Sequence, residues 1–237
     1  MRFLLAICIG LMLINCEDKQ TSKDKKAIVK DSTETVVTSK KKAKKTKKKP
    51  VSKFPVLTDD NAMEFFLEYE KEHKENKVRI FTDFGNIDIL LYDKTKFHRA
   101  NFIYLTKRDY FDYTQFYRVV PNFVIQGGSS DGMDIYQRRK KIGRYLLPPD
   151  TKRGYTHKRG AVSMPSSEIE NAYKLASPYQ FFIVQKKDGA YHLDGDYTVF
   201  GEVISGMDTV DKIAAVETDD GEWPLNNVYI KKVEIIE

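Results

Sequence analysis

The 237-residue sequence holds two cysteines, Cys8 and Cys16, and none beyond them. Nothing downstream can therefore form a disulfide framework or a cysteine zinc site. Its four histidines, His73, His98, His157 and His192, lack the spacing of metal ligands, and neither metal nor cofactor is expected. The phosphate-cradling pattern G-x-G-x-x-G is missing, so Gly127 and Gly128 read as a tight turn. Aromatic residues are absent from Glu17 to Lys53, which removes the stacking side chains that single-stranded nucleic acid would need. The apolar run Phe3–Ile14 is too short to cross a bilayer as a helix. No internal repeat is visible.

What is present divides sharply. Residues 17–53 carry 14 Lys and 5 acidic side chains, a net of +9. With Arg2 adding one, the overall +6 leaves −4 for residues 54–237. The basic character belongs to a tail, and an argument from overall charge to nucleic acid fails for the rest of the chain. A segment so poor in large apolar side chains cannot offset the entropy of ordering, so disorder is expected. Before it, "MRFLLAICIGLMLINC" has a cationic start and an apolar stretch of secretory length. Leu13, Ile14 and Asn15 ahead of Cys16 resemble the lipobox of bacterial lipoproteins, with Asn15 standing where Gly, Ala or Ser is usual. That resemblance implies cleavage before Cys16, acylation of Cys16 and a lipid anchor in the bacterial cell envelope. An ordinary signal peptide is the alternative. The Lys-rich run is then a tether, either solvated or held against anionic headgroups.

"LTDDNAMEFFLEYEKEHKENK" offers N-cap residue types at Asp59–Asn61 and Phe65, Phe66 and Tyr69 near helical spacing, which predicts a helix over about 60–75. It is either a spacer or a helix packed on the downstream domain. From Val78, "VRIFTDFGNIDILLYD" alternates like a hairpin about a Gly-Asn turn. "KTKFHRANFIYLTKRDYF" puts Phe97, Ala100 and Tyr104 on one helical face. Strand candidates come next at 115–120, 123–127, 160–164, 180–185 and 197–204. "GMDTVDKIAAV" is a second amphipathic helix, and "NVYIKKVEII" is a closing strand. Many short strands with two helices suggest a closed antiparallel barrel with helices over its ends.

Three stretches then appear in order: "FYRVVPNFVIQGG", "RGAVSM…YQFFIV" and "HLDGDYTVFGEVISGMDTVDKI". Their order and spacing resemble the cyclophilin family from about Val78 to the end. The resemblance implies a mainly β fold, a closed eight-stranded antiparallel β-barrel capped by two α-helices, and peptidyl-prolyl cis–trans isomerase activity. The expected organisation is a lipoprotein signal peptide (1–15), a disordered basic linker (16–58), a helical spacer (59–77) and a cyclophilin-like domain (78–237).

The chemistry explains why polar residues stand in an apolar stretch. Rotation about a peptide bond is opposed by ~18–20 kcal/mol of lost resonance. A twisted X-Pro amide has a pyramidal nitrogen with a free lone pair, and a fixed cationic donor aimed there favours the transition state over the ground state. Arg118 suits that role, with Gln126 returning on the next strand to hold its guanidinium. By match to the family, Phe123, Val124, Phe182, Leu193 and Tyr197 wall the proline pocket. Gln180 and Ser166 hold the substrate backbone. Of the adjacent pair Phe181 and Phe182, alternation sends one into the core.

The chain also departs from the family. Tyr117 replaces a histidine, Val124 a methionine, and Pro165–Ser166 an Ala-Asn pair. His192 stands where many relatives have a tryptophan that contacts cyclosporin, which implies weak cyclosporin binding. "SSEIENAYKLASPY" and "SSDGMDIYQRRKKIGRY" replace Gly-rich loops, with Arg138–Lys141 expected on a solvated loop face. The expected partners are proline-containing polypeptide segments of exported proteins and a membrane through Cys16, with the chain a monomer and no nucleic acid bound. Two other readings compete: a non-catalytic proline-segment holdase, and an envelope protein whose tail carries the function.

Overall fold

The computed structural model describes residues 54–166 and 171–237. The signal peptide, Cys16 and nearly all of the basic linker lie outside the described residues.

The elements run β1 (Leu57–Thr58), α1 (Ala62–Glu72), β2 (Lys77–Thr82), β3 (Gly85–Leu91), α2 (Lys96–Lys107), β4 (Thr114–Val120), β5 (Val124–Ser129), α3 (Met133–Ile142), β6 (Gly143–Arg144), β7 (Ala161–Ser163), β8 (Phe181–Val184), β9 (Val199–Ser205), α4 (Met207–Ala214), β10 (Val228–Ile230) and β11 (Lys232–Ile235). One nine-stranded sheet has the order β10-β4-β5-β8-β7-β9-β3-β2-β11, antiparallel at every pairing. Its two ends are consecutive pieces of one segment. Residues 228–230 pair with β4 and residues 232–235 with β2. Between them the Lys231 N–H donates to the Phe81 carbonyl at 2.8 Å. The sheet is thus a nearly closed barrel, and the expected eight strands become nine because the last one is split at Lys231.

The core follows from alternation. In β2, Val78, Ile80 and Thr82 point inward, and in β3 Ile87, Ile89 and Leu91 do. The hairpin turn falls at Asp83–Phe84, two residues before the Gly-Asn pair, because Thr82 pairs with Gly85. The Thr82 hydroxyl fixes that turn by accepting from the Phe84 N–H at 3.1 Å and donating to the Gly85 carbonyl at 2.8 Å.

Helix α2 is buried along its whole middle, from His98 to Thr106, rather than on one face. The cause is α1, which covers its outer side. Phe66 and Tyr69 of α1 meet Tyr104 edge-on at 5.8 and 5.3 Å. Arg99, 1% exposed, donates to Glu70 at 3.3 Å and to the carbonyls of His73 and Glu75. Of the two readings of segment 59–77, the packed one holds: it shares the barrel's core. A fully buried Phe or Leu contributes roughly 1.5–3 kcal/mol, enough to hold a three-turn helix in place.

The segment expected to be a solvated loop at 129–145 contains α3. Ile135 and Ile142, two turns apart, are its buried contacts. Asp134 in the first turn and Arg139, Lys140 and Lys141 in the last complement the helix dipole. Arg138 donates to the carbonyls of Asp109, Tyr110 and Asp112, and Arg139 to the Tyr110 hydroxyl and Ser129. Only Lys140 and Lys141 of that cluster are exposed. Gly143 ends the helix at φ 136°, where a Cβ would lie 1.9 Å from the Leu57 carbonyl oxygen. Only glycine admits the parallel β1–β6 pairing there.

Candidate active site

The site is built on the β4–β5 hairpin. Val120-Pro121-Asn122-Phe123 closes it, with the Phe123 N–H donating to the Val120 carbonyl at 3.0 Å and Asn122 at φ 56°. Proline then asparagine is the composition a type II turn asks for. The turn sets Arg118 directly opposite Gln126, and Gln126 in turn opposite Phe182 on β8. Directly opposed residues share a face, so cation, amide and aromatic ring form one row across three strands. The register slips between Phe116 and Arg118, which leaves Tyr117 as the extra residue of a bulge. Both Tyr117 and Arg118 are half-exposed, while Phe116 and Val119 on either side are buried.

Gly127 and Gly128 are not a turn. They lie inside β5 and allow close approach. A Cβ on Gly127 would meet the Phe116 ring at 2.9 Å, and one on Gly128, at φ 92°, the Tyr179 carbonyl at 2.5 Å.

The row opens into a groove of about 1050 Å³. All nine residues singled out in the sequence line it: Arg118, Phe123, Val124, Gln126, Ser166, Gln180, Phe182, Leu193 and Tyr197. Phe181 goes to the core against Phe102, Phe111 and Phe116. Phe182 joins a separate apolar cluster with Val124, Ala161, Val184, Ala190 and Val199, flanked by Phe123, Leu193 and Tyr197. Tyr197 meets Phe182 edge-on at 6.1 Å, and His192 stacks on Phe123 at 5.5 Å.

The polar contacts differ from expectation. Gln126 does not hold the guanidinium. Its Nε2 donates to the Tyr117 hydroxyl, which the bulge brings to the groove side. Arg118 Nε donates instead to Glu222 Oε2 at 2.6 Å. A carboxylate outcompetes an amide for a guanidinium because the bond is charge-assisted. With both side chains more than a third exposed, the pair adds at most about 1 kcal/mol to stability. Glu222, Tyr117, Asn171, Lys174 and Ser177 line the groove as well. Lys174 pairs with Asp196 at the rim and sits 5.7 Å from the Tyr197 ring centre.

Behind Phe182 lies a second polar group. His157 stacks on the Phe182 ring at 5.8 Å. Its Nδ1 is 2.6 Å from Asp194 and its Nε2 3.1 Å from the Ser163 hydroxyl. Burial pushes the imidazole below its ordinary range, against the pull of Asp194. Distances alone would suit a nucleophilic serine. Yet Ser163 has no exposed surface, and a nucleophile that no substrate can touch performs no acyl transfer. The group is a buttress for the aromatic wall.

The row of cation, amide and ring beside the apolar notch lies within a stretch that one family profile matches. The family described as cyclophilin type peptidyl-prolyl cis-trans isomerase/CLD matches residues 77–235. The chain belongs to that family. Among its relatives, a peptidyl-prolyl cis-trans isomerase of Acinetobacter baylyi is 37% identical over 145 residues, covering 60% of this chain and 73% of that one. Isomerase B of Saccharomyces cerevisiae is 32% identical over 181 residues, 73% of this chain and 81% of that one. The isomerase-like 2 protein of Rhizopus delemar is 34% identical over 169 residues, 70% of this chain, but the match spans only 30% of that longer protein. Among solved structures, a Cryptosporidium parvum cyclophilin superposes with a TM-score of 0.58 at 25% identity, over 69% of this chain and 98% of that one. The same protein has been solved in the presence of the dipeptide Ala-Pro. The cyclophilin fold here thus carries α1 and β1 ahead of the region the family profile covers.

Proposed function

We propose that this cyclophilin catalyses cis–trans isomerisation of X-Pro bonds in polypeptide segments lying in the groove. The observation that carries the reading is the placement of Arg118 on the same face as Gln126 and Phe182, beside an apolar wall. The proline ring sits against Phe182, Val124, Leu193 and Tyr197. Gln180 and Ser166 hold the backbone on either side. As the preceding carbonyl rotates, resonance is lost and the proline nitrogen acquires a lone pair. An N–H of the Arg118 guanidinium donates to that nitrogen only in the twisted state. This is the differential binding that lowers a barrier. No covalent bond breaks and no proton moves in net, so no acid–base pair is needed.

The substrates are exported proteins, met at the envelope by a chain tethered through Cys16. The apolar N-terminal stretch and its Leu-Ile-Asn-Cys ending support this. Exchange spectroscopy on an X-Pro peptide tests the isomerase reading. The expected result is cis–trans exchange accelerated in proportion to protein concentration. A peptide that binds in the groove yet exchanges at its uncatalysed rate, roughly 10–100 s per event, would favour the holdase reading instead.

A further inference from the structure

Glu222 sits where the sequence shows no motif, yet its carbonyl and its carboxylate both hold strand β4. Its backbone has φ 65°, a left-handed conformation that residues with a Cβ adopt at a cost. Its carbonyl accepts from the N–H of Val119 in β4 at 2.8 Å. Its carboxylate accepts from Nε of Arg118, the residue just before Val119. The next residue, Trp223, places its ring 5.7 Å from that of Tyr117, whose hydroxyl accepts from Gln126. The loop is fixed from the other side by Asp219, whose carboxylate accepts from the N–H groups of Gly221 and Trp223, each at 2.9 Å. Successive residues of one loop therefore grip successive residues of the β4 bulge.

We infer that Glu222 is a positioning residue for Arg118, and that the loop keeps a strained backbone there because the strain aims its carboxylate. The inference rests on the isomerase reading above. A guanidinium on a half-exposed side chain can rotate about its last bonds. A carboxylate on Nε fixes the plane of the fork and engages neither Nη1 nor Nη2. Among the described residues, no hydrogen bond of either Nη accompanies the Nε contact. Those two groups carry the donors that remain for the reacting amide. Fixing a donor in advance removes a cost that would otherwise fall on the transition state. Glycine at 222 would tolerate the left-handed backbone freely, but it would supply no carboxylate for Arg118.

The test uses the whole protein and five variants, with X-Pro exchange and thermal melting as readouts. Glu222→Ala and Glu222→Gly should lower kcat/KM about tenfold through kcat, with KM changed less than about twofold. Glu222→Gln, whose amide oxygen still accepts from Nε, should lose less than about threefold. Glu222→Gly should melt at or above the wild-type temperature, which separates lost positioning from a lost fold. Glu222→Ala added to Arg118→Ala should change the residual rate by less than about twofold, because a residue acting through Arg118 has nothing left to act on. Wild-type or faster turnover in Glu222→Ala overturns the inference. So does an equal further loss in the Arg118→Ala background, which would mean that Glu222 acts through the fold. Full activity in Arg118→Ala alone would instead remove the catalytic role of Arg118 on which this rests.

Discussion

At the scale of single residues, the proposed mechanism gives the apolar wall and the cation separable jobs. Truncating Phe182 to Ala empties the notch without touching Arg118. The expected outcome is a KM raised about tenfold or more for X-Pro peptides, with kcat less affected; steady-state kinetics over a concentration series measures it. His98 governs a different property. It is buried against Phe200, and neither ring nitrogen has a hydrogen-bond partner among the described residues. Burial pushes its pKa down to about 4, with Asp150 opposing weakly. In the unfolded chain it titrates near 6.5. Above pH 6.5 both states are neutral and its contribution to stability is complete. As pH falls from 6.5 towards 4, the unfolded state takes up a proton that the folded state refuses. Stability should drop by about 3 kcal/mol across that window, and no further from this group below pH 4. Denaturant unfolding at several pH values checks it, and His98→Leu should flatten that part of the profile. The groove residues were legible because each stands in a local motif. Glu222 was not, because its partner lies 104 positions away and nothing in "DDGEWP" announces a guanidinium.

At the scale of elements, alternation and turn chemistry gave the barrel strands to within a residue or two at most ends. The sequence-based reading failed where tertiary contacts overrode local pattern. The Gly-Asn pair looked like a hairpin turn, yet the threonine three residues before the glycine fixes the turn earlier. The stretch holding α3 looked like a loop because it buries only two isoleucines and carries a block of cations. Two of those cations are spent on the carbonyls and hydroxyls of neighbouring segments, which no periodicity records. The paired glycines looked like a turn because a sequence does not show which backbone passes above a strand. Gly143 gives a sharp test of this scale. Gly143→Ala would force a Cβ into Leu57 and break the β1–β6 contact. A loss of about 3 kcal/mol or more is expected from denaturant melts, with α1 loosened in hydrogen exchange before the barrel. A change below about 1 kcal/mol would mean that β1 is only loosely attached.

At the scale of the whole molecule, charge and function separate. The described residues form a mildly acidic barrel with a groove, and the net positive charge of the sequence lies ahead of it. If the N-terminus is a lipoprotein signal, Cys16→Ser should move the protein from the membrane fraction to the soluble one, and labelling with a radioactive fatty acid should be lost. Isomerase activity per mole should not change, because the groove lies wholly within residues 117–222. The account as a whole stands on Arg118. Its most direct test is the catalysed exchange rate of an X-Pro peptide with Arg118→Ala against wild type, both shown folded by melting. The account predicts a fall of about 10²–10³-fold with the melting temperature nearly unchanged. Equal rates in the two proteins would contradict it.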